Sequence, residues 1–174
     1  PHVVEEAFYL AGSGRRGPVL IDVPRDVQLE EFALHQAKFP QLEGYKPTLE
    51  GHPGQIKRAA ALFKASERPL IVAGGGVWQA DAVPALRQLA EKSGTPVVYT
   101  LMGKASFPNS HPLCLGLMGY HGRVAANIAL SEADVILAVG TRFGDRSTGP
   151  LGSFAPQAKI IHVDVDPAEI SKNV

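Results

Sequence analysis

Beyond residue 52 the chain repeats one arrangement: a short run that is apolar at nearly every position, followed by apolar residues at helical spacing. Pro69-Leu70-Ile71-Val72-Ala73, Pro96-Val97-Val98-Tyr99-Thr100, residues 134–139 and Lys159-Ile160-Ile161-His162-Val163-Asp164 are the runs. A strand without polar alternation has no face for water, so both faces of its sheet must be covered. Such strands separated by helices specify α/β architecture, an open Rossmann-like parallel sheet flanked by helices. Ligands of sheets of this kind bind at the carboxyl ends of the strands. Four strands are expected.

The helices between them are equally legible. Pro53 suits a first turn, and Ile56, Ala59, Ala60 and Phe63 form one apolar face. Ala82, Leu86, Leu89 and Ala90 form another, closed by Ser93-Gly94, and residues 124–130 make a short helix. Asp166-Pro167 is expected to open a last one. Upstream, Val3, Val4, Ala7, Phe8 and Ala11 lie at helical spacing, Gly12-Ser13-Gly14 stops that helix, and residues 18–23 read as a buried strand. One helix and one strand do not make a domain. Residues 1–26 are therefore expected to be the C-terminal remnant of another α/β domain, and residues 27–52, broken by Pro40, Gly44, Pro47 and Gly51, a linker. Residues 53–174 are the main domain, expected to be C-terminally truncated.

Charge and cysteine content narrow the function. Lys+Arg and Asp+Glu both number 17 in 174 residues, so no net field attracts nucleic acid. Cys114 is the only cysteine, which rules out an intramolecular disulfide and fits a reducing compartment. No apolar run approaches the roughly 20 residues of a membrane helix. The chain begins at Pro1, without an initiator Met or a secretory signal, so any targeting segment is expected to precede it.

The residues with chemical potential gather after the strands. Gly74-Gly75-Gly76 lies where a strand passes into a helix, a place where backbone can approach a phosphate, or simply turn tightly. Gln79 stands where a full dinucleotide fingerprint has its third glycine. Thr100-Leu101-Met102-Gly103 follows the second strand. Gly140-Thr141-Arg142-Phe143-Gly144-Asp145-Arg146 follows the third and offers two guanidinium groups for a diphosphate, with Asp145 to orient one or to pair with it. Asp164 and Asp166 end the last strand, able to accept from a ribose or to cap a helix. His111 and His121 lack further ligands at metal-site spacing, and no serine nucleophile elbow occurs.

Six segments in order carry a resemblance. Arg15-Arg16-Gly17-Pro18-Val19-Leu20-Ile21-Asp22-Val23-Pro24-Arg25-Asp26-Val27 is the first, and Pro69-Leu70-Ile71-Val72-Ala73-Gly74-Gly75-Gly76-Val77 the second. Tyr99-Thr100-Leu101-Met102-Gly103-Lys104, Gly119-Tyr120-His121-Gly122, Val139-Gly140-Thr141-Arg142-Phe143-Gly144-Asp145-Arg146 and His162-Val163-Asp164-Val165-Asp166-Pro167-Ala168-Glu169-Ile170 complete the set. Together they resemble acetolactate synthases, thiamine-diphosphate (ThDP) enzymes, from the end of the pyrimidine-binding domain through most of the middle domain. The resemblance implies an α/β middle domain that binds FAD in a reaction without net redox change. It implies FAD contacts at Arg15, Gly74, Gly75, Gly76, Thr100, Leu101, Met102, Gly119, His121, Gly140, Arg142, Arg146, Asp164 and Val165. It gives Arg146 the further task of positioning a second 2-oxo acid, and places Arg25 near the substrate channel.

The implied parent enzyme joins pyruvate to a second 2-oxo acid in branched-chain amino-acid biosynthesis, with ThDP and Mg²⁺ as further cofactors. It would work in the bacterial cytoplasm or an organellar stroma or matrix, as a homodimer or homotetramer with a possible regulatory subunit. Arg16, Tyr120 and Gly144 depart from the family's usual Pro, Met and Asp. The activating glutamate is missing, since Glu5 and Glu6 lie in the wrong part of the domain remnant, and so is the Gly-Asp-Gly…Asn motif, because Arg146 stands where Gly144-Asp145-Arg146, with Asn173 downstream, would need a glycine. The 174 residues alone are therefore expected to be inactive. Two alternatives stay open: another ThDP-dependent carboligase or decarboxylase, of the glyoxylate carboligase or sulfoacetaldehyde acetyltransferase type, and a non-catalytic ADP- or dinucleotide-binding module.

Overall fold

A computed structural model describes residues 2–31, 33 and 42–174. The chain divides into two compact units, Pro1–Leu49 and Glu50–Val174.

In the first unit, α1 (His2–Gly12) forms where the apolar spacing predicts it. Ser13 closes it by donating its hydroxyl to the Tyr9 carbonyl at 2.6 Å, and Tyr45 packs edge-on against Tyr9 at 5.9 Å. Residues 18–23, expected as a strand, carry no regular secondary structure. A strand exists through ladder bonds to a neighbour, and no other strand lies among the described residues of this unit. A short helix, α2 (Arg25–Leu29), crosses the expected start of the linker. Residues 32 and 34–41 of that linker lie outside the described residues.

The second unit holds α3 (Pro53–Lys64), β1 (Pro69–Ala73), α4 (Gly75–Gln79), α5 (Val83–Ser93), β2 (Val97–Tyr99), β3 (Cys114–Leu117), α6 (Val124–Glu132), β4 (Val135–Val139), α7 (Asp145–Thr148) and β5 (Lys159–Val163). The strands form one five-stranded sheet in the order β3-β2-β1-β4-β5, with every neighbouring pair parallel.

Alternate residues of the central strands feed two separate cores. Leu70, Val72, Val98, Ile136 and Ala138 face one side with Ala126 and Leu130 of α6. Ile71, Ala73, Val97 and Tyr99 face the other with Val77 of α4 and Leu86 and Ala90 of α5. The topology requires this division. From β1 the chain steps outward to β2 and β3, then returns past β1 to β4 and β5. Right-handed crossovers running in opposite directions place their connections on opposite faces. The 104–113 connection accordingly sends Phe107 to the side of α5, and the 140–158 connection sends Phe143 and Ala155 to the side of α6.

Two expectations are corrected. The sheet has a fifth strand, β3, inside what reads as one long loop. It is four residues long, its register to β2 shifts between Val97 and Val98, and Gly116 within it has φ +96°. Such an irregular edge strand leaves no periodic signature. At the other end, Asp166 opens only a 3-10 turn, Pro167–Glu169, by accepting from the Ala168 N–H at 3.0 Å. Ile170 then returns to extended backbone.

Candidate functional site

The reversal of strand order falls between β1 and β4, whose carboxyl ends lie side by side: Ala73 pairs with Val139. Gly74 and Gly140 follow directly. In sheets of this type the crevice opens at that point.

The glycines here serve the backbone first. A Cβ on Gly74 would collide with the Gly140 carbonyl oxygen, and one on Gly76 would lie 2.8 Å from Gly140 Cα. Gly140, at φ +59°, could carry a Cβ only 2.6 Å from Gly76 Cα. The two loops thus touch main chain to main chain and bond there. Gly74 N–H donates to the Val139 carbonyl at 2.8 Å, and Gly76 N–H to the Gly140 carbonyl at 3.0 Å. The tight-turn role of Gly74-Gly75-Gly76 follows from the fold, and the free amides expected at this helix start are partly spent within the sheet edge. α4, five residues long, adds little dipole. Gly75 packs against Met102, 3.2 Å from the position of its missing Cβ.

After β2, Thr100 N–H donates to the Ala73 carbonyl at 3.1 Å, and its hydroxyl accepts from Gly103 N–H at 3.2 Å. That turn exposes Leu101 and Met102, 71% and 63% accessible. Trp78 lies against it, its indole N–H donating to the Met102 carbonyl at 3.0 Å. Ser106, fully buried, donates to the Gly74 carbonyl at 2.7 Å and ties the following connection to the same edge.

The Gly140-to-Arg146 loop meets the turn after β3. Gly119, at φ +93°, abuts the Arg146 carbonyl, which also accepts from Tyr120 N–H at 2.9 Å. Asn127 of α6 brackets Gly119, accepting from its N–H at 2.9 Å and donating to its carbonyl at 3.0 Å. His121 is exposed and sits edge-on to Tyr120 at 4.9 Å. Arg142 and Arg146 are exposed, and neither guanidinium has an ion-pair partner among the described residues. The Asp145 carboxylate accepts from the Arg146 backbone N–H at 2.8 Å, so the side-chain pairing weighed from sequence does not form. Asp164 and Val165 follow β5 on the same edge, half-buried, and Asp164 accepts from Asp166 N–H at 3.0 Å. Arg15 belongs to the first unit, exposed on the segment after α1.

Sequence reasoning missed Ser106, Asn127 and Trp78. Ser106 carries no signal, since its value lies in a carbonyl 32 positions away. Asn127 on an alanine-rich helix and Trp78, the only tryptophan, beside a glycine turn were readable hints. His111 plays no part at this edge: it bonds Glu91 at 3.1 Å and accepts from Leu113 N–H at 3.2 Å. Hydrogen bonds from Arg87 and then from His111 hold the Glu91 carboxyl below its usual range. Among the described residues no three His, Cys, Asp or Glu gather as metal ligands.

Sheet order and paired glycine loops define a doubly wound domain with its switch point between β1 and β4, where Arg142 and Arg146 have no ion-pair partner among the described residues. Residues 56–174 match the central domain of thiamine pyrophosphate enzymes, and the chain belongs to that family. It is 54% identical over 177 aligned positions to a probable acetolactate synthase large subunit of Methanocaldococcus jannaschii, covering 100% of this chain and 30% of that protein. An acetolactate synthase of Mycobacterium bovis is 50% identical over 173 positions, covering 99% and 28% respectively. The large subunit of Haemophilus influenzae acetolactate synthase is 40% identical over 176 positions, covering 100% and 31%. The chain thus spans about three tenths of the length of these relatives.

Proposed function

We propose that this chain is the flavin-nucleotide-holding central part of an acetolactate synthase, and that the whole protein condenses pyruvate with a second 2-oxo acid. The observation that carries the reading is the switch-point edge. It carries Arg142 and Arg146, whose guanidinium groups have no ion-pair partner among the described residues, on the loop after β4, and exposed Leu101 and Met102 with the Trp78 indole on the turn after β2. Cations for a diphosphate next to apolar and aromatic surface for ring systems are the donor set that a flavin dinucleotide requires. FAD rather than a bare adenine nucleotide is what the resemblance of the six sequence segments to acetolactate synthases implies.

In this reading Gly74, Gly75, Gly76, Gly140 and Gly119 shape the edge, while Thr100 with Leu101 and Met102 walls it. Arg142 neutralises the diphosphate, and His121, Asp164 and Val165 line its ends. FAD would serve as a structural element of the active-site wall. ThDP and Mg²⁺, which supply decarboxylation and carboligation when bound, belong to parts of the protein outside residues 1–174.

Arg146 takes the second role, holding the carboxylate of the acceptor 2-oxo acid through paired, charge-assisted bonds. The test is Arg146→Lys in the whole protein, which keeps the charge and loses the fork. Such a bond contributes on the order of 1.5–3 kcal/mol, so acceptor use should fall roughly 10- to 150-fold while pyruvate decarboxylation continues. Loss of bound FAD with both half-reactions falling together would make Arg146 a flavin contact alone. Full flavin and unchanged acceptor use would remove both roles.

A further inference from the structure

His162, on β5, has no part in the reading above, yet it grips the arginine loop. Its Nε2 lies 2.8 Å from the Thr141 carbonyl oxygen. A carbonyl only accepts, so the proton sits on Nε2; Nδ1 is buried without a hydrogen-bond partner among the described residues. The loop that it holds is conformationally demanding. Gly140 has φ +59°, and Phe143, which is not a glycine, has φ +49°. A left-handed non-glycine residue persists only where its surroundings over-determine it. Here the Phe143 ring is buried, edge-on to His162 at 5.1 Å and to Phe154 at 5.7 Å.

Two more bonds come from the same side. Gly140 N–H donates to the Val163 carbonyl at 2.8 Å, and the Asn173 amide donates to the Arg142 carbonyl at 3.0 Å. Three consecutive residues, Gly140, Thr141 and Arg142, are thereby fixed by β5 and the segment after it. The side chains divide accordingly: Phe143 goes into the core and Arg142 out to the edge. Main-chain bonds such as that of Gly140 form whatever the side chains are. The bond to Thr141 depends on one ring.

We infer that His162 is a positioning residue: its ring, donating from Nε2 to the Thr141 carbonyl while packing on Phe143, sets the backbone from which Arg142 and Arg146 reach a bound phosphate or carboxylate. The inference rests on the reading of this loop as the anion-holding part of a flavin site. His162 itself touches no ligand.

The test compares His162→Phe, which keeps a ring and removes the donor, with His162→Gln, whose amide can place an N–H close to the lost one. FAD affinity of the whole protein is measured by flavin fluorescence, in the wild-type and Arg142→Ala backgrounds. His162→Phe should weaken FAD binding about three- to tenfold, the scale of one neutral hydrogen bond. His162→Gln should recover most of that loss. In the Arg142→Ala background the His162→Phe effect should shrink to the part that acts through Arg146, since coupled residues are non-additive. If His162→Phe does not fold, His162→Met, of similar volume and without a donor, takes its place.

Unchanged affinity in His162→Phe overturns the inference. So does an equal loss in both backgrounds, which is the mark of general destabilisation. Should the wild-type protein hold no FAD, the flavin reading falls by itself and amide exchange decides the clamp. Faster exchange at residues 141–147 in His162→Phe, slowed again in His162→Gln, supports it; equal rates overturn it.

Discussion

Glycines at the sheet edge are not equivalent residues. Gly74 must be glycine because the Gly140 carbonyl occupies the place of its side chain. Gly144 has nothing within 4 Å of a Cβ, and its φ of −65° and ψ of 154° suit any residue at a helix N-cap. The two sites therefore respond in opposite directions. Gly74→Ala should lower stability by about 3 kcal/mol, the upper range for overpacking a rigid interior. Gly144→Asp should raise it by a few tenths of a kcal/mol, since Asp caps a helix slightly better than Gly. Chemical denaturation of both variants measures this, and equal destabilisation would contradict it. Gly144→Asp also restores a carboxylate usual in the acetolactate synthases that this chain resembles, at no steric expense.

Among the elements, the turn from α3 into β1 depends on one side chain from the start of β4. The Asp134 carboxylate accepts from Glu67 N–H at 2.8 Å and from Arg68 N–H at 3.0 Å. The bond from Glu67 is the main reason that its carboxyl titrates below the usual range, with that from Arg68 also contributing. A folded-state pKa below the unfolded one gives stability that is present above the unfolded value, about 3.9, and lost as pH falls through the folded value. Asp134→Asn, which cannot ionise, lacks this term. Thermal melts should show wild type more stable than the variant at neutral pH, with the gap closing as pH falls below about 4. A gap that is constant from pH 7 to pH 2 would sink this account. The same two strand ends illustrate why β1 and β4 are so regular: their five-residue register is clamped at the entry by Asp134 and at the exit by the Gly74 and Gly140 loops.

At the scale of the molecule, the first unit exposes several large apolar side chains among its described residues. Val3, Phe8 and Leu20 are 59%, 77% and 92% exposed, and α1 buries only Ala7. Surface of this kind is seldom left uncovered, so the purified chain should self-associate, and light scattering at rising concentration measures it. Phe8→Ser with Leu20→Ser should reduce the association; a monodisperse monomer in the parent chain would contradict it. The same chain, supplied with pyruvate, ThDP, Mg²⁺ and FAD, should form no acetolactate above a heat-killed control. It contains neither a Gly-Asp-Gly…Asn motif nor an activating glutamate in a suitable place. Product formation would show that the reaction needs less than the family pattern implies.

Much of this was written in local pattern. Leu70 to Ala73, Val97 to Tyr99 and Val135 to Val139 are apolar throughout because both of their faces are covered, and that pattern alone specified a parallel sheet between helices. Gly94, at φ +64°, marked the end of α5 just as its position predicts. The loops with chemical potential were legible too, because strand ends in such a sheet share one edge. Tertiary structure decided the rest. A strand is a pairing, so residues 18–23 read as β from composition yet form none without a neighbour, while Cys114–Leu117 pairs with β2 despite a glycine at φ +96°. Strand order cannot be read from strands one at a time. It is the β3-β2-β1-β4-β5 order that brings Gly74 against Gly140 and turns a phosphate-like motif into a backbone contact. Side chains such as Ser106, Asn127 and His162 act on carbonyls 32, 8 and 21 positions away, distances at which sequence carries no periodicity and only the folded chain supplies the partner.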